Sequence, residues 1–264
     1  MIDILSPDGI ALIEHTARCR TLLAFDFDGT LAPLVSDYRE AAMRDTTRAL
    51  FRMVAILYPS AVISGRDRGD LLRRLTKIPL VEAVGNHGAE DGALPDPRLV
   101  RQVSAWANAL RSAFADQPEI EVEQKAASLA VHYRRAPDPV VAHSRALAAA
   151  QALPGARVFG GEAAVNVAPP GVPDKGAALE DMARRLGTSS VVFVGDDITD
   201  EDAFRSPAVT LSIRVGAAPE SAARCCLPCQ SQIEALLRAF VRARAHSAGL
   251  GERWIDLCGT PKPR

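Results

Sequence analysis

An apolar run that ends in two aspartates, LLAFDFDGTLAPL at residues 22–34, limits the possible folds more than any other stretch. Its first four residues are typical of a buried strand in a parallel sheet. Because residues two apart share one face of a strand, Asp26 and Asp28 would point the same way, and Gly29 permits a sharp turn after them. Like charges this close are costly unless a cation or a shared proton offsets them, and oxygen ligands favour magnesium. A solvated acidic turn is the alternative interpretation.

The composition excludes several classes of partner. The chain has 264 residues, of which 31 are basic and 32 acidic, so neither nucleic acid nor an anionic membrane is an expected partner. No apolar run approaches the roughly 20 residues that span a bilayer, and the N-terminus lacks the basic region of a signal peptide. We therefore expect a cytoplasmic protein, and we expect a monomer.

The cysteines do not predict a structural role. Their number, five, is odd, and a chain of this size does not need a disulfide framework. Cys225, Cys226 and Cys229 contain a CxxC spacing, but no second pair or histidine cluster completes a zinc site. We interpret them as thiols in a packed region.

Strands that alternate with helices predict a doubly wound α/β domain. After the first strand, apolar strands are expected at 61–63, 81–84, 191–194 and 209–215, the last of these being the final strand. Helices are expected at 7–19, 45–57, 71–75, 174–187 and 233–245. Such folds bind ligands at the carboxyl ends of their strands.

A serine and a glycine follow the strand at 61–63 and precede a predicted helix. The Ser64 hydroxyl and the free N–H groups at a helix start would form an anion site beside Gly65. N-capping of the helix by Ser64 explains the same residues equally well. The next strand ends in a second polar turn, Gly85-Asn86-His87-Gly88.

A lysine and an acidic run follow later in the chain. Lys175 lies at a predicted helix start, where the helix dipole disfavours a cation, so we infer that it holds a negative ligand. An exposed surface lysine is the common alternative. The run GDDITDED at 195–202 places five carboxylates in seven residues after an apolar strand, and this position favours metal binding over a solubilising loop.

The order of elements changes at residues 95–168, where we predict an inserted α+β module. Helices at 99–114 and 140–153 are combined with strands at 120–125, 129–133, 157–159 and 163–167. Residues 1–94 and 169–264 would form the core, and a proline-rich stretch after residue 168 would be the hinge.

Polar side chains recur on two strands of this module. Glu123 and Lys125 share one strand face, and His132 and Arg134 share one face of the next strand. Charge pairing across a solvated sheet is one explanation. If the module faces an active site, the same side chains would line a polar substrate pocket.

Four segments taken together, DFDGT, SGR, DKG and GDDITDED, resemble the haloacid dehalogenase (HAD) superfamily of phosphohydrolases. A more detailed similarity, over roughly residues 20–240, is to the trehalose-6-phosphate phosphatase family. The segments that carry it are SGRDRGDL, GNHGAE, VEQKAASLAVHYR, PPGVPDKGAAL and VGDDITDEDAF. The resemblance implies a Rossmann-like α/β core with a parallel sheet, an inserted C2-type α/β cap at 95–168, and Mg²⁺-dependent hydrolysis of trehalose 6-phosphate to trehalose and phosphate.

The resemblance also implies roles for individual residues. Asp26 would attack phosphorus and form an aspartyl-phosphate, and Asp28 would protonate the leaving sugar oxygen and then activate water. Magnesium would be held by Asp26, the Asp28 backbone carbonyl and Asp196, with Asp200 as a further ligand or an orienting residue. Phosphate would be bound by Thr30, Ser64, Gly65 and Lys175. The sugar would be bound by Arg66, His87, Glu123, Lys125, Arg134 and Asn166.

One position departs from the family pattern. Where the family offers a glutamate in an E-x-x-P pattern, this chain has Asn166-Val167-Ala168-Pro169, and Glu162 is nearby in sequence. A phosphatase for another sugar phosphate, such as sucrose phosphate or glucosylglycerate phosphate, is therefore the alternative function. A catalytically silent sugar-phosphate sensor is a third hypothesis that nothing in the sequence supports.

Overall fold

The strand that precedes Asp26 lies inside a parallel sheet. The computed structural model describes residues 1–35, 37–94, 96–161 and 163–250. The strands are β1 Ile2–Asp3, β2 Thr21–Phe25, β3 Ser60–Ile63, β4 Glu82–Val84, β5 Glu121–Gln124, β6 Leu129–His132, β7 Arg157–Gly161, β8 Ala164–Ala168, β9 Ser190–Gly195, β10 Leu211–Val215 and β11 Cys225–Leu227. The helices are α1 Pro7–Ala17, α2 Asp45–Leu57, α3 Arg68–Arg74, α4 Pro97–Ala113, α5 Pro139–Gln151, α6 Lys175–Leu186, α7 Glu201–Phe204 and α8 Ile233–Ser247.

Helices cover both faces of the parallel sheet. Within the described ranges, seven strands pair in the order β1-β11-β10-β9-β2-β3-β4. In β2, Leu23 and Phe25 belong to an apolar cluster that contains residues of α1, α2 and α8. Leu22 and Ala24 belong to a second cluster with residues of α6 and α7. Burial on both faces explains the uninterrupted apolar run, and the parallel register brings the carboxyl ends of β2, β3 and β9 to one edge.

The helix predictions agree with the structure to within a few residues. The helix expected at 45–57 is α2, Asp45–Leu57, and the helix expected at 7–19 is α1, which ends at Ala17. In the part of the chain that is described, no helix combines the length and apolarity needed to cross a bilayer.

The expectation that the strand at 209–215 is the final one is wrong. β11 pairs with β10, and the two-residue strand β1 pairs with β11 at the sheet edge. Strands of two or three residues are too short to show the alternation that identifies a strand in a sequence. Cys225 is fully buried in β11 and Cys226 is half-buried, as thiols in a packed region would be, but Cys229 is exposed and does not fit that interpretation. Cys258 lies outside the described residues.

An antiparallel sheet lies in the segment predicted as an insert. Four described strands pair in the order β5-β6-β8-β7. Its register aligns Glu123, Ala130, Asn166 and Phe159 in one row on one face. The opposite face supplies apolar residues to a third cluster with α4 and α5, which is separate from the two clusters of the parallel sheet. The domain boundaries after residues 94 and 168 stay a prediction.

Candidate active site

A buried cluster of aspartates and one lysine lies at the carboxyl edge of the parallel sheet. Asp26 follows β2, Asp196 follows β9, and Asp200 lies in the next turn, and their ligand atoms lie within 4.8 Å of one another. Lys175, the first residue of α6, is 1% exposed, so the exposed-lysine alternative is wrong. Its Nζ lies 2.5 Å from Asp200 Oδ1. The same Nζ lies 3.1 Å from Asp26 Oδ1, an ion pair without hydrogen-bond alignment.

A glycine allows the first motif to approach the acidic loop. Gly29 has a φ of +72°, and a Cβ there would lie 1.9 Å from Asp196 Oδ2. The next residue, Thr30, donates from Oγ1 to Asp196 Oδ1 at 2.8 Å. A larger residue at 29 would therefore displace the Asp196 carboxylate. Thr30 thus contacts a predicted metal ligand, and its phosphate-binding role stays a prediction.

The cluster carries more negative charge than its lysine compensates. Burial raises the pKa of Asp26 well above its usual range, although Lys175 partly offsets the effect. Burial and then Asp200 raise the pKa of Asp196 to about 7. Burial opposes the charge of Lys175, but Asp200 and Asp26 raise its pKa above the usual value. Excess carboxylate charge on oxygen donors close together fits a divalent cation, so these residues can hold one.

Asp200 is occupied by contacts within the protein. Its Oδ2 accepts hydrogen bonds from the N–H groups of Asp196 and Asp197, each at 2.8 Å, and its Oδ1 accepts from Lys175. Asp197 caps the short 3₁₀ turn that follows, and Glu201 accepts from Arg214 at 3.3 Å. Among the five carboxylates of the acidic run, Asp196 and Asp200 thus enter the cluster, and Asp200 is placed to orient both Lys175 and the loop.

The Asp28 side chain lies apart from the carboxylate cluster and pairs with Arg66. Arg66 Nε donates to Asp28 Oδ2 and Nη2 donates to Oδ1, both at 2.7 Å. Arg66 Nη1 also donates to Asp70 Oδ2 at 2.8 Å. Arg66, predicted to contact sugar, is thus held against the predicted acid–base residue. Its sugar-binding role stays a prediction.

Ser64 is buried at the end of β3 and does not cap a helix. Its Oγ accepts from the N–H of Arg66 at 3.3 Å. The N-cap of α3 is Asp67, whose side chain accepts from the N–H of Asp70, so the capping alternative for Ser64 is wrong. Gly65 lies under the His87 ring, since a Cβ on it would be 2.5 Å from His87 Cε1.

The turn after β4 is strained and packs against the start of α6. Asn86 and His87 have φ values of +53° and +57°, which are uncommon for residues other than glycine and typical of functional sites. A Cβ on Gly88 would lie 2.3 Å from the carbonyl oxygen of Asp174, next to Lys175.

His87 and Asn86 both contact the antiparallel sheet. The His87 ring meets the Phe159 ring edge-on at 5.5 Å, and burial followed by Lys125 and Lys175 lowers the pKa of His87 well below 6.5. Its Nδ1 is buried without a hydrogen-bond partner among the described residues. Asn86, which the sequence analysis did not select, accepts from Ser128 Oγ and is 2% exposed. A buried asparagine with positive φ leaves no signal in sequence beyond its glycine neighbours.

The polar face of the antiparallel sheet reaches the core at Lys125. Lys125 Nζ donates to the Gly65 carbonyl at 2.6 Å and lies 3.9 Å from Glu123. The Lys125 side chain is 9% exposed, which argues against a solvated sheet face at this position. Glu123 Oε2 is 2.8 Å from His132 Nε2, and this hydrogen bond is the largest cause of the lowered pKa of Glu123.

Arg134 and Asn166, the remaining residues predicted to bind the sugar, each donate a hydrogen bond to a backbone carbonyl. Arg134 Nη1 donates to the Val35 carbonyl at 3.5 Å, in the segment after the first motif. Asn166, 5% exposed, donates from Nδ2 to the Gly160 carbonyl at 3.2 Å. Glu162, the possible substitute for the missing glutamate, lies outside the described residues.

Solved structures define the class of fold. The C-terminal domain of Candida albicans trehalose-6-phosphate phosphatase aligns with a TM-score of 0.73 at 23% identity, covering 95% of this chain and 99% of that chain. BT1666 from Bacteroides thetaiotaomicron, described as a phosphatase of the HAD superfamily, aligns with a TM-score of 0.60 at 14% identity, covering 86% of this chain and 96% of that chain. At these identities the similarity concerns the fold, which is that of a HAD phosphatase, as the motifs predicted.

Sequence comparison defines the family. The trehalose-phosphatase family model matches residues 24–224, so the chain belongs to the trehalose-phosphatase family. The maize trehalose 6-phosphate phosphatase RA3 is 29% identical over 273 residues, covering 90% of this chain and 75% of that protein. A Mycobacterium tuberculosis protein described as an uncharacterized glycosyl hydrolase is 34% identical over 221 residues, covering 75% of this chain. The chain spans 16% of that protein and 60% of a probable rice trehalose-phosphate phosphatase.

Proposed function

We propose that this protein hydrolyses trehalose 6-phosphate to trehalose and inorganic phosphate, with Mg²⁺ as cofactor and Asp26 as nucleophile. The observation that carries the proposal is the position of Asp26, buried between Lys175 and Asp196 in a member of the trehalose-phosphatase family. A surface acidic turn would not need a fully buried lysine beside it.

In the first step, an Asp26 carboxylate oxygen attacks phosphorus and the bond from phosphorus to the sugar oxygen breaks. The Lys175 ammonium partly offsets the burial that raises the pKa of Asp26, and it would bind a phosphate oxygen together with the Ser64 hydroxyl. Asp28 gives its proton to the departing sugar oxygen, so that trehalose leaves as a neutral alcohol.

In the second step, water attacks the aspartyl-phosphate. Asp28, now ionised, accepts a proton from that water, and the bond from phosphorus to Asp26 breaks to release inorganic phosphate. The bidentate contact with Arg66 fixes the orientation of the Asp28 carboxylate in this ionised state.

Asp26, Asp196 and the Asp28 carbonyl would hold Mg²⁺. The ion, when bound, neutralises phosphate charge and so lowers the repulsion between the phosphate and the nucleophile. Asp200 serves as an orienting residue in this scheme, because Lys175 and two backbone N–H groups already occupy its oxygens.

Residues 95–168 act as the cap that recognises the sugar. Glu123, Lys125, Arg134 and Asn166 face the core side with Arg66 and His87, and the Lys125–Gly65 hydrogen bond joins this face to the phosphate-binding turn. Partly exposed carboxylate, imidazole and guanidinium groups suit the hydroxyl groups of a sugar, which both donate and accept hydrogen bonds.

A panel of sugar phosphates assayed for phosphate release with and without Mg²⁺ tests this proposal. Turnover of trehalose 6-phosphate that needs the metal is the expected result. Strong turnover of another sugar phosphate, with none of trehalose 6-phosphate, would contradict it. The same panel tests the second candidate, a phosphatase for sucrose phosphate or glucosylglycerate phosphate, which is favoured by Asn166 in place of a glutamate.

A further inference from the structure

A chain of ionic hydrogen bonds extends from Asp28 to the surface of α3. Arg66 uses Nε and Nη2 for the Asp28 carboxylate and Nη1 for Asp70 Oδ2 at 2.8 Å. Asp70 Oδ2 also accepts from Arg74 Nε at 2.8 Å, and Oδ1 accepts from Arg73 at 3.2 Å. Asp70 therefore links Arg66, which binds Asp28, to two arginines of its own helix.

Arg74 fixes the far end of this chain to the segment after the first motif. It donates to the carbonyl oxygens of Ala41 and Arg39. The Arg74 side chain is 16% exposed and that of Arg66 is 7% exposed, so both guanidinium groups are largely shielded from water. A planar guanidinium with three of its N–H groups held has little freedom to rotate.

We propose that Asp70 is a positioning residue for the reaction, which acts through Arg66 to fix the Asp28 carboxyl group that protonates the leaving sugar. The inference rests on the proposed function of Asp28 as general acid. Asp70 touches neither the aspartate cluster nor the sheet face assigned to the sugar, and it is 42 residues from Asp28 in sequence.

Two substrates with different leaving groups can distinguish a positioning role of Asp70 from a purely structural one. A sugar alkoxide is a poor leaving group and needs the proton of Asp28, whereas p-nitrophenolate leaves without one. A misoriented Asp28 would lower kcat/KM for the sugar phosphate and affect p-nitrophenyl phosphate much less. General damage to the fold would lower both values together.

The experiment compares Asp70→Ala and Asp70→Asn with Asp28→Asn and a matched control, each assayed on trehalose 6-phosphate and p-nitrophenyl phosphate with Mg²⁺. Asp181→Ala is the control, because Asp181 pairs with Arg184 and Arg185 at the same i+3 and i+4 spacings in the exposed last turns of α6. Thermal unfolding of each variant accompanies the assays.

Asp70→Ala should lower kcat/KM for the sugar phosphate about 10-fold, in line with the sensitivity of catalysis to small displacements, and that for the aryl phosphate less than about 2-fold. Asp70→Asn, which keeps an acceptor oxygen, should lose less, and Asp181→Ala should match the wild type. Equal losses on both substrates, or no loss, would overturn the proposal. If Asp28→Asn lowers kcat/KM equally for both substrates, Asp28 is not the general acid, and the inference fails with that role. If Asp28→Asn lowers kcat/KM mainly for the sugar phosphate but Asp70→Ala lowers both values equally, only the role of Asp70 is refuted.

Discussion

The aspartate–lysine cluster of the parallel sheet is more deeply buried than the polar face of the antiparallel sheet. Asp200 and Lys175 are 0% and 1% exposed, whereas the side chains of Glu123 and His132 are 39% and 38% exposed. In the core, each charge depends on its neighbours, because removal of one leaves another buried and uncompensated. Around Glu123 and His132, water can replace a lost partner.

This difference separates two kinds of functional residue. Removal of the lysine from the cluster should lower both kcat and stability, while substitutions on the polar face of the antiparallel sheet should raise KM and leave the fold intact. The variants below test that separation.

Asp26→Asn should have the largest effect. The amide cannot form an aspartyl-phosphate, so phosphate release should fall by at least about 10³-fold. Circular dichroism should show an unchanged fold, because the substitution removes a carboxylate whose burial already disfavours its charge. Retained turnover in the folded variant would refute Asp26 as nucleophile.

Lys175→Met should damage both activity and stability. It leaves Asp26 and Asp200 buried without their cation, which typically costs about 3–5 kcal/mol, and kcat should fall at least about 100-fold. Urea unfolding of the metal-free protein measures the loss of stability. A variant as stable as the wild type would show that the cluster does not depend on its lysine.

Lys125→Met is the matched substitution at the polar face of the antiparallel sheet. The Glu123 carboxylate, 3.9 Å from Lys125 Nζ, is 39% exposed, so water can solvate it when the ammonium is removed, and loss of the hydrogen bond to Gly65 should cost about 1 kcal/mol. We expect KM for the sugar phosphate to rise about 10-fold with kcat changed less than about 3-fold. If Lys125→Met lowers the free energy of unfolding as much as Lys175→Met does, the proposed difference between the aspartate–lysine cluster and the polar sheet face is wrong.

The stability of the metal-free protein should depend on pH through Asp196. Its pKa in the folded protein is raised to about 7, from 3.8. The folded state therefore binds the Asp196 proton more tightly than the unfolded state does. The resulting contribution to the free energy of unfolding is complete below about pH 4 and is lost as the pH rises through 7. The loss is at most about 4 kcal/mol at about 1.4 kcal/mol per pKa unit. Urea unfolding at pH 5 and pH 8 measures it, and Asp196→Asn should flatten the dependence. If the free energy of unfolding of Asp196→Asn depends on pH as it does in the wild type, Asp196 is not the group responsible.

Much of the core site could be predicted from sequence, because strand ends and glycines fix its geometry. Apolar runs before Asp26, Ser64 and Asp196 predicted that these residues meet at one sheet edge, and the unfavourable helix position of Lys175 predicted its ionic role. Both predictions use local sequence alone.

The contacts between distant side chains could not be predicted in this way. The bidentate Arg66–Asp28 pair depends on how a long flexible side chain leaves the turn after β3. The Ser128–Asn86 hydrogen bond depends on how the second sheet sits over a strained turn. The spacing of residues in the sequence does not predict either contact.

The most direct test of the core site is to find where the phosphoryl group resides during turnover. Trehalose 6-phosphate and Mg²⁺ are mixed with the enzyme, the reaction is quenched in acid within its first turnover, and the digested peptides are analysed by mass spectrometry. We predict one phosphoryl group on Asp26, absent from Asp26→Asn. Phosphorylation of another residue, or turnover with no phosphorylated peptide at any quench time, would contradict the account.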